Sequence, residues 1–118
     1  MLRELFAGAD EVRFGRAVQG LLARQYAVRV VSRRKGYLRA VVGHVEAKSP
    51  YVVELFVADG QLVHRCTCPD YDHGGGRACK HVFMVALFVV AERVERAAAR
   101  EGGEASRQQP RRRAGAGR

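Results

Sequence analysis

All three cysteines of this 118-residue chain and two of its four histidines fall between positions 66 and 81, where Cys66-Thr-Cys68-Pro69 and Cys79-Lys80-His81 form two pairs. Each pair encloses one residue, and residues 69–78 lie between the pairs. Zinc prefers four thiolate and imidazole donors at about 2.0 to 2.3 Å in a tetrahedron, and three cysteines with one histidine supply that set. Pro69 and Gly74-Gly75-Gly76 let the intervening backbone turn and return, as a four-ligand clamp requires. Cys66, Cys68, Cys79 and His81 are therefore expected to hold one structural Zn²⁺. Three thiolates around a divalent cation leave one formal negative charge. A helix amino terminus and the nearby Arg65, Arg77 and Lys80 are expected to balance it.

Other chemistries fit the spacing less well. Ordinary buried cysteines would not gather in so short a segment with mirrored spacing. Redox work by Cys66 and Cys68 would need no second Cys/His pair, and a catalytic zinc would need a ligand position left open to water. His73, inside the Gly-rich loop, is a possible fourth ligand by type, but its place there predicts a solvent-exposed side chain. His44 and His64 lie on strand-like segments and are assigned no role. An odd cysteine count would strand one thiol in a disulfide framework, so a reducing cytoplasm fits better.

The elements that must position the ligands follow from periodicity. Residues 1–25 read as a helical segment: Phe14, Val18, Leu21 and Leu22 recur at helical spacing from Glu11 to Gln25, with Asp10 as the cap. Gly15 and Gly20 weaken this helix, since each costs about 1 kcal/mol relative to Ala. Between Ala27 and Arg65 the pattern changes to four β-rich runs, 27–32, 37–45, 51–57 and 61–65. Their breaks are Arg33-Arg34-Lys35-Gly36, Lys48-Ser49-Pro50 and Asp59-Gly60. On the third run Tyr51, Val53, Leu55 and Val57 share a face expected to look into the core. After Cys79, Val82 to Val90 are apolar nearly all round, which predicts a helix buried on the sheet. The expected fold is α+β, a small antiparallel β-meander with an N-terminal helix and a buried C-terminal helix, stapled by one zinc. Residues 26–100 form the expected zinc-binding domain. Residues 101–118, rich in Gly, Ala, Gln and Arg, read as a disordered basic tail.

Size predicts a single small domain, in which a metal contributes proportionally more to stability. The apolar run from Val82 to Ala91 is ten residues, whereas about 20 are needed to span a bilayer, so no membrane role is expected. No secretion signal is read at the amino terminus. The formal net charge of +9 points to an anionic partner.

The ligand pattern, followed by Val82-Phe-Met-Val-Ala-Leu87, resembles the SWIM zinc finger, in which Cys-x-Cys, a variable spacer and Cys-x-His precede an apolar helix. The resemblance covers about Tyr26 to Ala91 and includes the β-meander upstream of the ligands. It implies a binding module for DNA, more than RNA, or for a protein partner in DNA repair and recombination. That partner would be a recombinase-like or helicase-like ATPase. No phosphate-binding loop or cluster of catalytic acids is present, so neither an enzyme activity nor a small-molecule substrate is expected. Two readings follow. In the first, Arg29, Arg33, Arg34, Lys35, Arg39, Arg65, Arg77 and Lys80, with the tail residues Arg111, Arg112 and Arg113, contact mainly phosphates. In the second, the chain is a pure protein adaptor, such as an accessory subunit of a RecA-like paralogue.

Overall fold

Alternating side chains and two-residue turns generate one four-stranded sheet in the computed structural model, which describes residues 2–46 and 49–105. The strands are β1 (Tyr26–Arg34), β2 (Tyr37–His44), β3 (Tyr51–Ala58) and β4 (Gln61–Cys66), ordered β1-β2-β3-β4 and antiparallel throughout. This is the expected α+β meander. Asp59 and Gly60 turn β3 into β4 with φ of 51° and 74°, the left-handed pair that a tight hairpin demands and that Gly adopts without strain.

Pairing changes the assignment of the first turn. β1 extends past Ser32 to Arg34, because Arg33 pairs with Leu38 and Arg34 with Tyr37, leaving only Lys35 and Gly36 as the turn. A bulge between Val30 and Ser32 makes this possible. Val57, expected in the core, is 43% exposed, since it lies at the turn end of β3 beyond the layer that covers Val53 and Leu55.

Two helices, rather than one, precede the sheet: α1 (Leu2–Ala7) and α2 (Glu11–Leu22). Asp10 caps α2 as expected, its carboxylate accepting from the amides of Val12 and Arg13 at 2.9 and 3.1 Å. The helix stops at Leu22, short of Gln25. The Ala23 amide bonds back to Gln19, and Arg24 enters the left-handed region at φ 58°. The ligand segment contains a short helix, α3 (Pro69–His73), and α4 (Lys80–Ala105) follows the second ligand pair.

One core unites these elements. Ala40 and Val42 of β2, Val53 and Leu55 of β3, Ala17 of α2 and Val82 to Val85 of α4 are buried together. Phe14 and Phe83 meet edge to face at 5.6 Å, joining α2 to α4. Five successive residues of α4, Val82 to Ala86, are buried, as a helix apolar on all sides requires.

The chain divides into two units, Met1–Phe88 and Val89–Arg118. The described part of the second is the continuation of α4, where most side chains from Ala91 to Glu101 are exposed. That helix runs to Ala105, beyond the expected start of the tail at residue 101. The rest of that tail, including Arg111, Arg112 and Arg113, lies outside the described residues, as does Lys48.

The two α2 glycines differ in kind. A Cβ on Gly20 would lie 2.7 Å from the ring of Tyr26 and 3.0 Å from the methyl of Met84, whereas nothing lies within 4 Å of one on Gly15. Tyr26 cannot yield easily, because its ring is itself packed against His44 and His81. Gly20→Ala is therefore expected to lose about 1 kcal/mol net, overpacking of about 1–3 kcal/mol outweighing the gain in helix propensity. Gly15→Ala should gain about 0.5–1 kcal/mol. Urea midpoints of the two variants check the contrast, and equal shifts would contradict it.

Candidate metal centre

Strand geometry delivers the first ligand pair. Cys66 ends β4 on the core face, paired with Val53. The next residue is then fastened twice to β3: the Thr67 amide donates to the Val52 carbonyl at 3.1 Å, and the Val52 amide donates to the Thr67 hydroxyl at 2.9 Å. Cys68 follows as the residue before α3, with Pro69 in the first turn, where a missing amide proton costs nothing. The Gly74 amide closes α3 onto Asp70 at 2.8 Å and the Gly76 amide bonds to Tyr71 at 3.0 Å, returning the chain toward Cys79. The Phe83 amide then donates to the Cys79 carbonyl, so Cys79 stands immediately before α4 and His81 in its first turn.

All four side chains are buried, and their ligand atoms lie within 4.8 Å of one another. Nδ1 of His81 sits 3.8 Å from Sγ of both Cys66 and Cys79. Metal–ligand bonds of about 2.0–2.3 Å in a tetrahedron separate ligand atoms by roughly 3.5–3.8 Å, so the cage is close to the size zinc requires. Nδ1 is the nitrogen aimed at the sulfurs. Nε2 is buried with no hydrogen-bond partner, among the rings of Tyr51 at 4.8 Å and Tyr26 at 5.7 Å. These residues fit one structural zinc, and four good donors leave no ligand position for water.

Electrostatics within the cage divides the thiols. Cys79 is held well below the ordinary thiol range, first by the Cys66 thiol donating to it and then by His81 and the Val82 amide. Cys66 is pushed up by its bond to Cys79 and by burial, and Cys68 is pushed up chiefly by burial. In the metal-free chain one thiolate is thus shared by two thiols. Backbone amides of Cys68, Tyr71 and Val82 point at the sulfurs of Cys66, Cys68 and Cys79 respectively and favour negative charge there. Arg65, expected to help balance that charge, alternates with Cys66 along β4 and points to the opposite face of the sheet. Lys80 lies 5.3 Å over the Tyr26 ring, and Arg77 bonds to the Gly74 carbonyl.

Two further contacts hold the ligand loop, and neither is signalled by sequence spacing. Arg13 of α2 grips Asp70 with Nε at 2.9 Å and Nη2 at 3.1 Å, while its Nη1 reaches Asp10 at 2.8 Å. The Arg13 guanidinium keeps the Asp70 carboxyl below the usual carboxylate range. The Tyr71 hydroxyl donates to the His64 carbonyl and lies 3.0 Å from His64 Nδ1. His64 is thus a support for the loop. His73 ends α3 exposed, as expected, away from the ligand set.

The basic residues singled out by sequence separate into groups. Cross-strand partners point to the same side, so Arg29 (opposite Val41), Arg34 (opposite Tyr37), Arg39 (opposite Glu54) and Arg65 (opposite Glu54) share the face away from the core. The bulge turns Arg33 to the other side, opposite Leu38. Lys35 sits in the turn, and Arg77 and Lys80 flank the ligands.

Residues 51–89 match the family model of the SWIM zinc finger. The resemblance drawn from the ligand spacing thus holds over β3, β4, the ligand loop and the first turns of α4. Neither a curated protein nor a solved structure matches the chain.

Zinc requires all three thiolates, and near neutral pH Cys66 and Cys68 still carry protons, so binding should release about two protons per zinc. Protons compete with the metal, and affinity should therefore rise with pH, roughly a hundredfold per unit between the depressed value of Cys79 and the raised values of its partners. Calorimetry in buffers of differing ionisation enthalpy measures the release; none would contradict this division. Arg13→Ala should keep one zinc per chain but speed its transfer to a chelator a few-fold. An unchanged rate would show that the loop holds without this clamp.

Proposed function

We propose that this zinc-binding module binds nucleic acid, mainly DNA and mainly through backbone phosphates, and contributes no reaction of its own. The observation that carries the reading is the register of the sheet. It gathers Arg29, Arg34, Arg39 and Arg65 on the face away from the core, where Glu54 is the carboxylate between Arg39 and Arg65. Glu54 is already engaged, accepting from the Tyr37 hydroxyl at 2.6 Å. An arginine-rich face on a chain of net charge +9 attracts a polyanion and tolerates any sequence, since phosphates carry no base information. The saturated zinc site supports a binding role over catalysis. Three buried thiols suit a reducing compartment such as cytoplasm. No helix among the described residues is long and apolar enough to cross a membrane.

A protein adaptor in DNA repair or recombination, docked on a recombinase-like or helicase-like ATPase, is the second reading. It draws on Leu22 and Val45, exposed at 76% and 72%, where the Val45 amide bonds the Gln25 carbonyl and ties the ends of α2 and β2. Two side chains make a small patch, so nucleic acid leads.

Zinc-loaded protein should bind a labelled oligonucleotide at low salt, and log K should fall linearly with log salt. Replacing Arg29, Arg39 and Arg65 by Gln should flatten the slope by about 0.7 to 0.9 for each phosphate that is no longer neutralised. Absence of binding at low salt would sink the reading, and co-purification of one defined protein after nuclease treatment would favour the adaptor.

A further inference from the structure

Two adjacent rows of side chains cross the open face of the sheet. One is Ser32, Arg39, Glu54 and Arg65; the next is Arg34, Tyr37, Phe56 and Val63. Tyr37 and Phe56 are direct cross-strand partners on strands about 4.8 Å apart, so both side chains stand on this face. Both are half-buried, yet neither they nor Val41, Val52 and Val63 belong to the core or pack against it. The guanidinium of Arg34 lies 4.6 Å over the Tyr37 ring, and that of Arg65 lies 5.2 Å over Phe56. Arg29 and Arg39 complete the basic rim.

A sheet needs neither aromatics nor stacked arginines on a solvent face; threonine or lysine would serve solubility as well. Flat rings with cationic planes over them are instead what unstacked bases recognise. A base stacks on an aromatic ring or on a guanidinium plane, and the displaced cation meets the neighbouring phosphate. Duplex DNA offers this surface only phosphates, because its bases are already stacked on one another and turned inward.

We propose that the open face of the sheet is a stacking platform for single-stranded nucleic acid, with Tyr37 and Phe56 taking bases and Arg29, Arg34, Arg39 and Arg65 taking phosphates. This rests on the nucleic-acid reading above and specifies the form of its ligand. It places recognition on the face opposite the zinc, whose ligands act by holding the sheet.

The test compares the full zinc-loaded chain on a fluorescein-labelled oligothymidylate of roughly 16 nucleotides and on a duplex of the same length. Single strand is expected to bind more tightly. Tyr37→Leu and Phe56→Leu keep apolar bulk but remove the π face, and each should weaken single-strand binding by roughly tenfold while duplex binding and zinc content stay unchanged. Phe56→Tyr, which keeps the ring, should bind as the parent does and guards against a folding artefact. Single-strand binding that survives both leucine variants, or an equal loss on single strand and duplex, would overturn the platform and leave phosphate binding standing. No binding to either probe at low salt would remove the nucleic-acid reading together with it.

Discussion

The tetrahedron formed by Cys66, Cys68, Cys79 and His81 is the constraint on which the other elements depend. Two of its corners belong to the end of β4 and the residues just after it; the other two belong to the start of α4. Without a metal, three thiols and the His81 Nδ1 crowded within 4.8 Å would share one stabilised thiolate, an unfavourable use of the interior of a small domain. With it, sheet and helix are pinned at one point, and Val82 to Val85 are carried directly onto Val42, Val53 and Leu55. Structural zinc in finger peptides contributes roughly 10–16 kcal/mol, on the scale of a whole domain's stability, so the metal and the apolar core are one cooperative system.

Around that pin the protein uses short-range devices of modest strength in series. Thr67 fastens the residue between the first two ligands to β3, Tyr71 fastens the loop helix to β4, and Arg13 fastens the same helix to α2. The Arg13–Asp70 pair is solvent-facing, and such pairs contribute little to stability. Its effect is geometric. It fixes where α3 points, and through Tyr71 and Cys68 it limits how far the second ligand can stray from the first. Amides directed at sulfur do the electrostatic work that distant cations cannot, because a hydrogen bond acts at contact whereas surface charge is screened by water and salt.

Much of this was legible in the residues. The ligands, the four strands, the Asp59-Gly60 hairpin, the Asp10 cap and the buried start of α4 all express rules that act within a few positions. What escaped depends on partners distant in sequence or on elements too short to show a period. α1 is six residues and α3 five, too brief for a recurring apolar stripe. Arg13 and Asp70 are separated by 57 positions, and neither suggests the other. The bulge at β1 is visible only through its pairing with β2, and it alone decides that Arg34 rather than Arg33 joins the arginine face. Gly20, read as a weak point in a helix, is a point of contact, because the crowding comes from Tyr26 and Met84.

That bulge also links fold to function. Strict alternation from Arg29 would have kept Arg33 on the open face, opposite Tyr37, and turned Arg34 toward the core side. One extra residue, Val31, resets the alternation, so that Arg29 and Arg34 share a face although five positions, an odd number, separate them. The same residue is left 43% exposed, an apolar side chain that pairing does not shelter. Deleting it would restore an unbroken ladder and leave the later pairs as they are, since Ser32, Arg33 and Arg34 already face Arg39, Leu38 and Tyr37. The irregularity thus selects which of two adjacent arginines joins the open face, while the regular face beneath it is answerable to the zinc.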